Sequence, residues 1–296
     1  LDGAGQNVRI TDRFPKLPFL LSVSRLDKPI GIYLLLWPTL WGLWIAAEGF
    51  PGWHLLFVFV LGTVVTRSAG CVINDIADRK FDGQVKRTSR RPLVTGELPV
   101  KDAIIFMALL LLIALALVIT TNLLTIGLAA VAVVIAGLYP LMKRITYLPQ
   151  VVLGIAFSFG IPMSFAAVTG EIPNFAWLLV VANVLWTVAY DTEYAMVDRD
   201  DDLRLGIKST AILFADMDKL IIGILQVMFL IILLLMHRHI ELGIFYNLGI
   251  IFGAGFLIYQ QYLIKDRRRD PCFAAFRNNH WVGLAIFIGI LIEYGF

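Results

Sequence analysis

Two short stretches of this chain concentrate oxygen ligands at helical spacing. "CVINDIADRKFDG" carries Asn74, Asp75, Asp78 and Asp82, and "YDTEYAMVDRDDD" carries Asp191, Asp198 and Asp202. On a helix turning 100° per residue, Arg67, Cys71, Asn74, Asp78 and Asp82 fall within an arc of about 80°, with Asp75 near its edge. Asp191, Asp198 and Asp202 share an arc of about 40°. Two carboxylate faces at one end of a helical bundle repel each other unless a cation neutralises them. Ligands that are all oxygen, with no His or Cys close in sequence, suit Mg²⁺, which takes a few carboxylates and leaves positions for water and phosphate oxygens. Basic residues accompany both groups: Lys86, Arg87, Arg90 and Arg91 follow the first, Lys143 and Arg144 stand between, and Lys208 follows the second. Such a set would hold a diphosphate.

The rest of the chain is what must position these groups. It has 296 residues, 59% hydrophobic and only 16% charged, with a mean hydropathy of +0.80. That balance belongs to a polytopic all-α membrane protein. Nine apolar stretches approach spanning length, at about 29–47, 53–73, 103–120, 123–141, 148–168, 175–190, 220–236, 242–264 and 280–295. Residues 1–28 form an N-terminal arm, and 29–296 a single nine-helix transmembrane domain around a central cavity. The acidic groups follow the second and the sixth spans, which suggests two four-helix halves plus one helix.

Charge sorts cleanly across this layout. Of 25 lysines and arginines, 23 fall in the arm or in the connections after even-numbered spans. Arg67 lies inside the second span and Arg238 alone on the other side. The positive-inside rule then puts the N-terminus and the acidic ends in the cytoplasm. The net charge of +3 gives no reason to expect a nucleic-acid partner; the partner surface is membrane lipid. "RFPKLPFLLSVSRLDKP" reads as an amphipathic segment along the cytoplasmic interface, and "WPTLWGLW" as an interfacial aromatic belt. Cys71 and Cys272 give no disulfide framework. His237 and His239 are loop histidines without a third ligand.

The acidic motifs resemble those of the UbiA family of intramembrane prenyltransferases, most closely its members that prenylate 4-hydroxybenzoate in ubiquinone synthesis. The family pattern Asn-Asp-x-x-Asp-x-x-x-Asp is matched by Asn74, Asp75, Asp78 and Asp82, Asp-x-x-x-Asp by Asp198 and Asp202, and Tyr-x-x-x-Lys by Tyr139 and Lys143. The resemblance runs from "RLDKPIGIYLLLWPTLWGLW" to "GIKSTAILF", and more loosely to "FRNNHWVGL". It implies a nine-helix bundle in a bacterial inner membrane that uses Mg²⁺ to move a polyprenyl group from its diphosphate to an aromatic acid. Asn74, Asp75, Asp78, Asp82, Asp198 and Asp202 would then be metal ligands. Arg87, Lys143, Arg144 and Lys208 would hold the diphosphate.

Chemistry assigns expectations to the remaining residues. Tyr139, Tyr190 or Tyr194 would stabilise an allylic cation through their ring faces. Arg67, two turns deeper than Asn74, would clamp the acceptor carboxylate with its planar fork; the competing partner for Arg67 is Asp191. Asp191 would orient the phenol or take the ring proton. Two alternatives remain: another aromatic or naphthoic acceptor, and, from a different class, a secondary transporter. A membrane phosphotransferase would need an Asp-Gly-x-x-Ala-Arg run, and the sequence has none.

Overall fold

The structure is a computed structural model that describes residues 14–295, and its secondary structure is entirely helical among them. In chain order the α-helices are α1 (Leu17–Val23), α2 (Ile30–Ala47), α3 (Trp53–Asp82), α4 (Pro92–Thr95), α5 (Val100–Val118) and α6 (Leu123–Ile145). They continue with α7 (Pro149–Ser158), α8 (Gly160–Thr169), α9 (Ala176–Leu205), α10 (Thr210–Leu213), α11 (Asp218–Leu235), α12 (Ile244–Leu263) and α13 (Arg269–Tyr294). Each expected span has its helix. Eight of them are long and apolar enough to cross a membrane, α7 and α8 together making one. The remaining helix, α9, has the length, 30 residues, but Asn183, Asp191 and Glu193 make it too polar to join that set by composition.

Local sequence explains the breaks. Pro162 has no backbone N–H and crowds the carbonyl four residues back, which is Ser158, where α7 ends. Asn122 caps α6 by accepting a hydrogen bond from the Thr125 backbone N–H at 2.9 Å. The two helices of 30 residues, α3 and α9, carry the acids at their C-terminal ends. Each is the second long helix of its set of four, in keeping with two related halves.

Helix α9 is central, packing on α7, α11 and α13, and α2 is held between α8 and α13. This placement corrects the reading of "WPTLWGLW" as an interfacial belt. Trp41 is fully buried and Trp44 nearly so, because α2 lies inside the bundle. Trp41 stacks on Trp186 at 5.5 Å, Trp186 stacks on Phe229 at 5.5 Å, and the Trp41 indole N–H is satisfied by the Gly283 carbonyl at 3.0 Å. Close approach of α12 and α13 depends on glycine: a Cβ on Gly289 would stand 2.7 Å from the Phe245 carbonyl oxygen.

Helices α5 and α6 are the reverse case. Leu112, Leu123 and Val134 are each more than half exposed, so these helices present apolar side chains to lipid and leave the cavity behind them weakly walled. The described part of the arm does more than rest on a surface. Val23 of α1 is buried against a cluster with Val72, Leu93, Leu98 and Ala103, fastening the arm to the C-terminal half of α3 and the N-terminal end of α5. Residues 1–13 of the arm lie outside the described residues.

Candidate active site

Helix α3 runs unbroken to Asp82, so the polar face inferred from spacing exists. Asp75, Asp78 and Asp82 are all buried on it. Asp198 is buried near the end of α9, and Asp191 two turns deeper. Both faces open on one cavity of about 2020 Å³, lined also by Arg67, Asn74, Arg87, Tyr139, Lys143, Tyr194, Asp202 and Lys208. Its deeper walls are apolar, with Leu111, Leu115 and Val118 of α5 and Ile126 and Val133 of α6.

Each buried carboxylate needs compensation, and the chain supplies it. Arg25 donates from Nη2 to both oxygens of Asp75 at 2.8 and 2.9 Å, and Arg91 lies 2.8 Å from the same carboxylate and 2.6 Å from that of Asp82. Lys143 reaches across from α6 to Asp78. Arg87 makes a forked pair with Asp198, at 3.0 Å from Nε and 2.5 Å from Nη2, while its guanidinium lies 4.7 Å over the Tyr194 ring. Burial works against the charge on Arg87, but Tyr194 and Asp198 outweigh it and raise its pKa above the ordinary arginine value.

The structure brings the expected set to one cavity, with Arg144 at its margin. Arg144 is not on the cavity wall. Its Nη2 donates to the Ala77 carbonyl at 2.8 Å and lies 3.8 Å from Oδ1 of Asp78, and its guanidinium lies 5.1 Å over Phe81 at the cavity margin. Lys208 lines the cavity, with its ammonium held by the Ile145 carbonyl at 3.0 Å. Arg25 was missed by sequence reasoning. Its closeness to Asp75 spans 50 positions of sequence, and its backbone is left-handed, with φ of 59°, which no local pattern announces.

Arg67 is the deep cation. It donates from Nη1 to the Cys71 sulfur at 2.7 Å, sits 5.5 Å over the Phe157 ring, and leaves a buried Nε–H without a partner. It makes no ion pair with Asp191 among the described residues. Asp191 itself is 8% exposed and has no hydrogen bond among them either. An unspent donor and an unspent acceptor thus face one cavity.

Mg²⁺ would need several of these oxygens free at one point. No three His, Cys, Asp or Glu side chains converge on one point among the described residues, since lysine and arginine already occupy the carboxylates. The chemistry of the set nonetheless fits: all donors are hard oxygens, and one buried oxygen, Oδ1 of Asp78, has no hydrogen-bond partner. His237 is bonded to Asn247 at 2.9 Å and His239 stacks on Phe175, so neither belongs to the site.

Comparison with known proteins identifies the family. The sequence profile of the UbiA prenyltransferase family matches residues 35–286. The 4-hydroxybenzoate octaprenyltransferase of Aliivibrio fischeri strain MJ11 is 57% identical over 268 residues, 90% of this chain and 93% of that protein. Its namesake from Pseudomonas fluorescens strain SBW25 is 55% identical over 282 residues, 95% of each chain. Among solved structures, an apo UbiA homolog from Aeropyrum pernix K1 superposes with a TM-score of 0.78 at 24% identity, covering 89% of this chain and 97% of that one. A UbiA homolog from Archaeoglobus fulgidus bound to GPP and Mg²⁺ gives 0.69 at 17%, covering 91% and 99%. These two share the fold. With a family profile matched over most of its length and relatives identical at more than half of their positions, the chain belongs to the UbiA prenyltransferase family.

Proposed function

We propose that this chain is a 4-hydroxybenzoate polyprenyltransferase of ubiquinone synthesis, embedded in a bacterial inner membrane with its acidic end in the cytoplasm. The observation that carries the reading is one cavity with two aspartate faces, a ring of cations at its mouth, and apolar walls behind the lipid-exposed helices α5 and α6. The relatives' names support the choice of acceptor and make octaprenyl diphosphate the first donor to try. All nine long helices, α9 included, would cross the bilayer.

Asn74, Asp75, Asp78, Asp82, Asp198 and Asp202 would hold Mg²⁺, which supplies Lewis-acid stabilisation of a leaving diphosphate. The carboxylates now serve Arg25, Arg87, Arg91 and Lys143. On loading, Arg87 and Lys143 turn from them to the phosphate oxygens, joined by Lys208. The allylic C–O bond breaks with its electron pair going to diphosphate. The Tyr139 and Tyr194 rings face the resulting cation, and the apolar walls keep water from it. Arg67 holds the acceptor carboxylate, so the ring carbon ortho to the hydroxyl points toward the cation. That carbon forms the new bond and sheds its proton, with Asp191 an unspent acceptor on the cavity wall.

The test is product analysis. Purified protein given Mg²⁺, octaprenyl diphosphate and a panel of benzoic and naphthoic acids should yield a C-prenylated 4-hydroxybenzoate by mass spectrometry. Prenylation of a naphthoate alone would move the acceptor assignment, and no prenylated product with any acid would sink the reading. Orientation is tested separately. Cys71 and Cys272 are buried, so a single cysteine at Glu171 should react with an impermeant thiol reagent added outside cells, and one at Gln84 should not. Reversed labelling would overturn the cytoplasmic placement of the acids.

A further inference from the structure

Outside the cavity, where the ends of α3, α5 and α6 meet, lies a smaller hollow of about 380 Å³ lined by Ile76, Ala77, Arg79, Lys80, Phe81, Val100 and Arg144. Three of these seven residues are cations and none is an acid. Arg79 and Lys80 are exposed and form no ion pair among the described residues. Arg144 is fixed along the wall by the Ala77 carbonyl and the Phe81 ring, with its nearest acid, Asp78, at 3.8 Å.

Val100 adds a second feature. It is the first residue of the 19-residue helix α5, which has no side-chain cap. The backbone N–H groups of Val100 and Lys101 have no partner among the described residues, those of Asp102 and Ala103 being taken by the Pro99 carbonyl, and a helix N-terminus favours an anion. Nearby Asp102 does not oppose this, because its carboxylate is paired with Lys16 at 2.7 Å. Just beyond the hollow, the surface turns apolar: Ile104 and Ile105 of α5 are 46% and 50% exposed, and Leu141 and Ile145 of α6 are 41% and 65% exposed. A phosphate seated among the cations would continue into acyl chains lying on these residues.

We propose that this hollow binds the phosphodiester headgroup of an anionic phospholipid, separately from the diphosphate site in the main cavity. A soluble anion would meet the same three cations, but it would gain nothing from the apolar wall beside them. The lipid reading therefore uses both halves of the surface. Positive residues at a cytoplasmic helix end are expected from topology alone; three cations around one hollow without an acid in its lining, beside an apolar face, are not.

The experiment is native mass spectrometry of the full chain, delipidated in detergent and titrated with phosphatidylglycerol or with phosphatidylethanolamine. The wild-type protein should retain one phosphatidylglycerol in preference to phosphatidylethanolamine. Arg79→Ala/Lys80→Ala should weaken phosphatidylglycerol by at least about tenfold, two interfacial cations having been removed, and leave phosphatidylethanolamine unchanged. A charge-retaining Arg79→Lys variant should keep the preference. The proposal is overturned if the double variant, shown to be folded by its melting curve, binds phosphatidylglycerol as the wild type does. It is also overturned if inorganic phosphate at equal concentration displaces the lipid, since the hollow would then be a site for free phosphate.

Discussion

Asp78→Ala and Asp198→Ala should each lower prenyl transfer by about 10²–10³-fold or more, the scale on which a group stabilising transition-state charge acts. Each aspartate is buried, on a different helix, and engaged by a cation that would otherwise serve the diphosphate. Asp78→Asn and Asp198→Asn should lose nearly as much, since the amide keeps the volume and gives up the charge. Folding must be separated from function, because removing one member of a buried pair leaves Lys143 or Arg87 uncompensated. The measurements are therefore product formation at saturating substrates and thermal unfolding in the same detergent. Excess chelator should silence the wild-type protein, and added Mg²⁺ should restore it. Full activity in a folded variant of either cluster, or in chelator, would end the reading of two acidic faces acting on one diphosphate.

Helical spacing made much of this site legible. The arc holding Arg67, Asn74, Asp78 and Asp82 required only that α3 continue unbroken to Asp82, and it does. The span positions were likewise readable, because a lipid-spanning helix must satisfy its backbone internally and fill its length with apolar residues. The failures share a cause. Whether Trp41 sits at an interface or in the core depends on the neighbours of α2, and the hydropathy of "WPTLWGLW" is the same in either place. Arg144 follows Lys143 directly, yet adjacent residues on a helix point about 100° apart. Lys143 reaches Asp78 inside the cavity, while Arg144 lies over Phe81 and comes no nearer the same carboxylate than 3.8 Å. Arg25 joins Asp75 through the fold of the arm, which no pattern within the arm encodes.

Arg67→Ala should separate acceptor recognition from diphosphate binding. The guanidinium lines the cavity at its deep end, spends one arm on Cys71 and keeps a buried Nε–H unpaired. A carboxylate meeting that fork would gain two parallel charge-assisted hydrogen bonds. Losing the cation should cost acceptor binding about 2–5 kcal/mol, as for other truncated charge pairs in buried settings. Affinity for an inert prenyl diphosphate analogue with Mg²⁺ should barely change, because Arg87, Lys143 and Lys208 remain. Arg67→Lys should recover only part of the loss, a point charge being unable to copy the fork. Gly31→Ala provides a version that keeps the charge. A methyl there would stand 2.6 Å from both Nε and Nη2 of Arg67, and the flexible end of the arginine would move aside at little cost to the fold. Displacing the fork should weaken the acceptor on the order of tenfold, within the range by which misplacement of a binding group acts. Both affinities are measurable by calorimetry in nanodiscs. If Arg67→Ala loses the diphosphate analogue and keeps 4-hydroxybenzoate, the deep end of the cavity holds the leaving group, and the acceptor must approach from the opposite side.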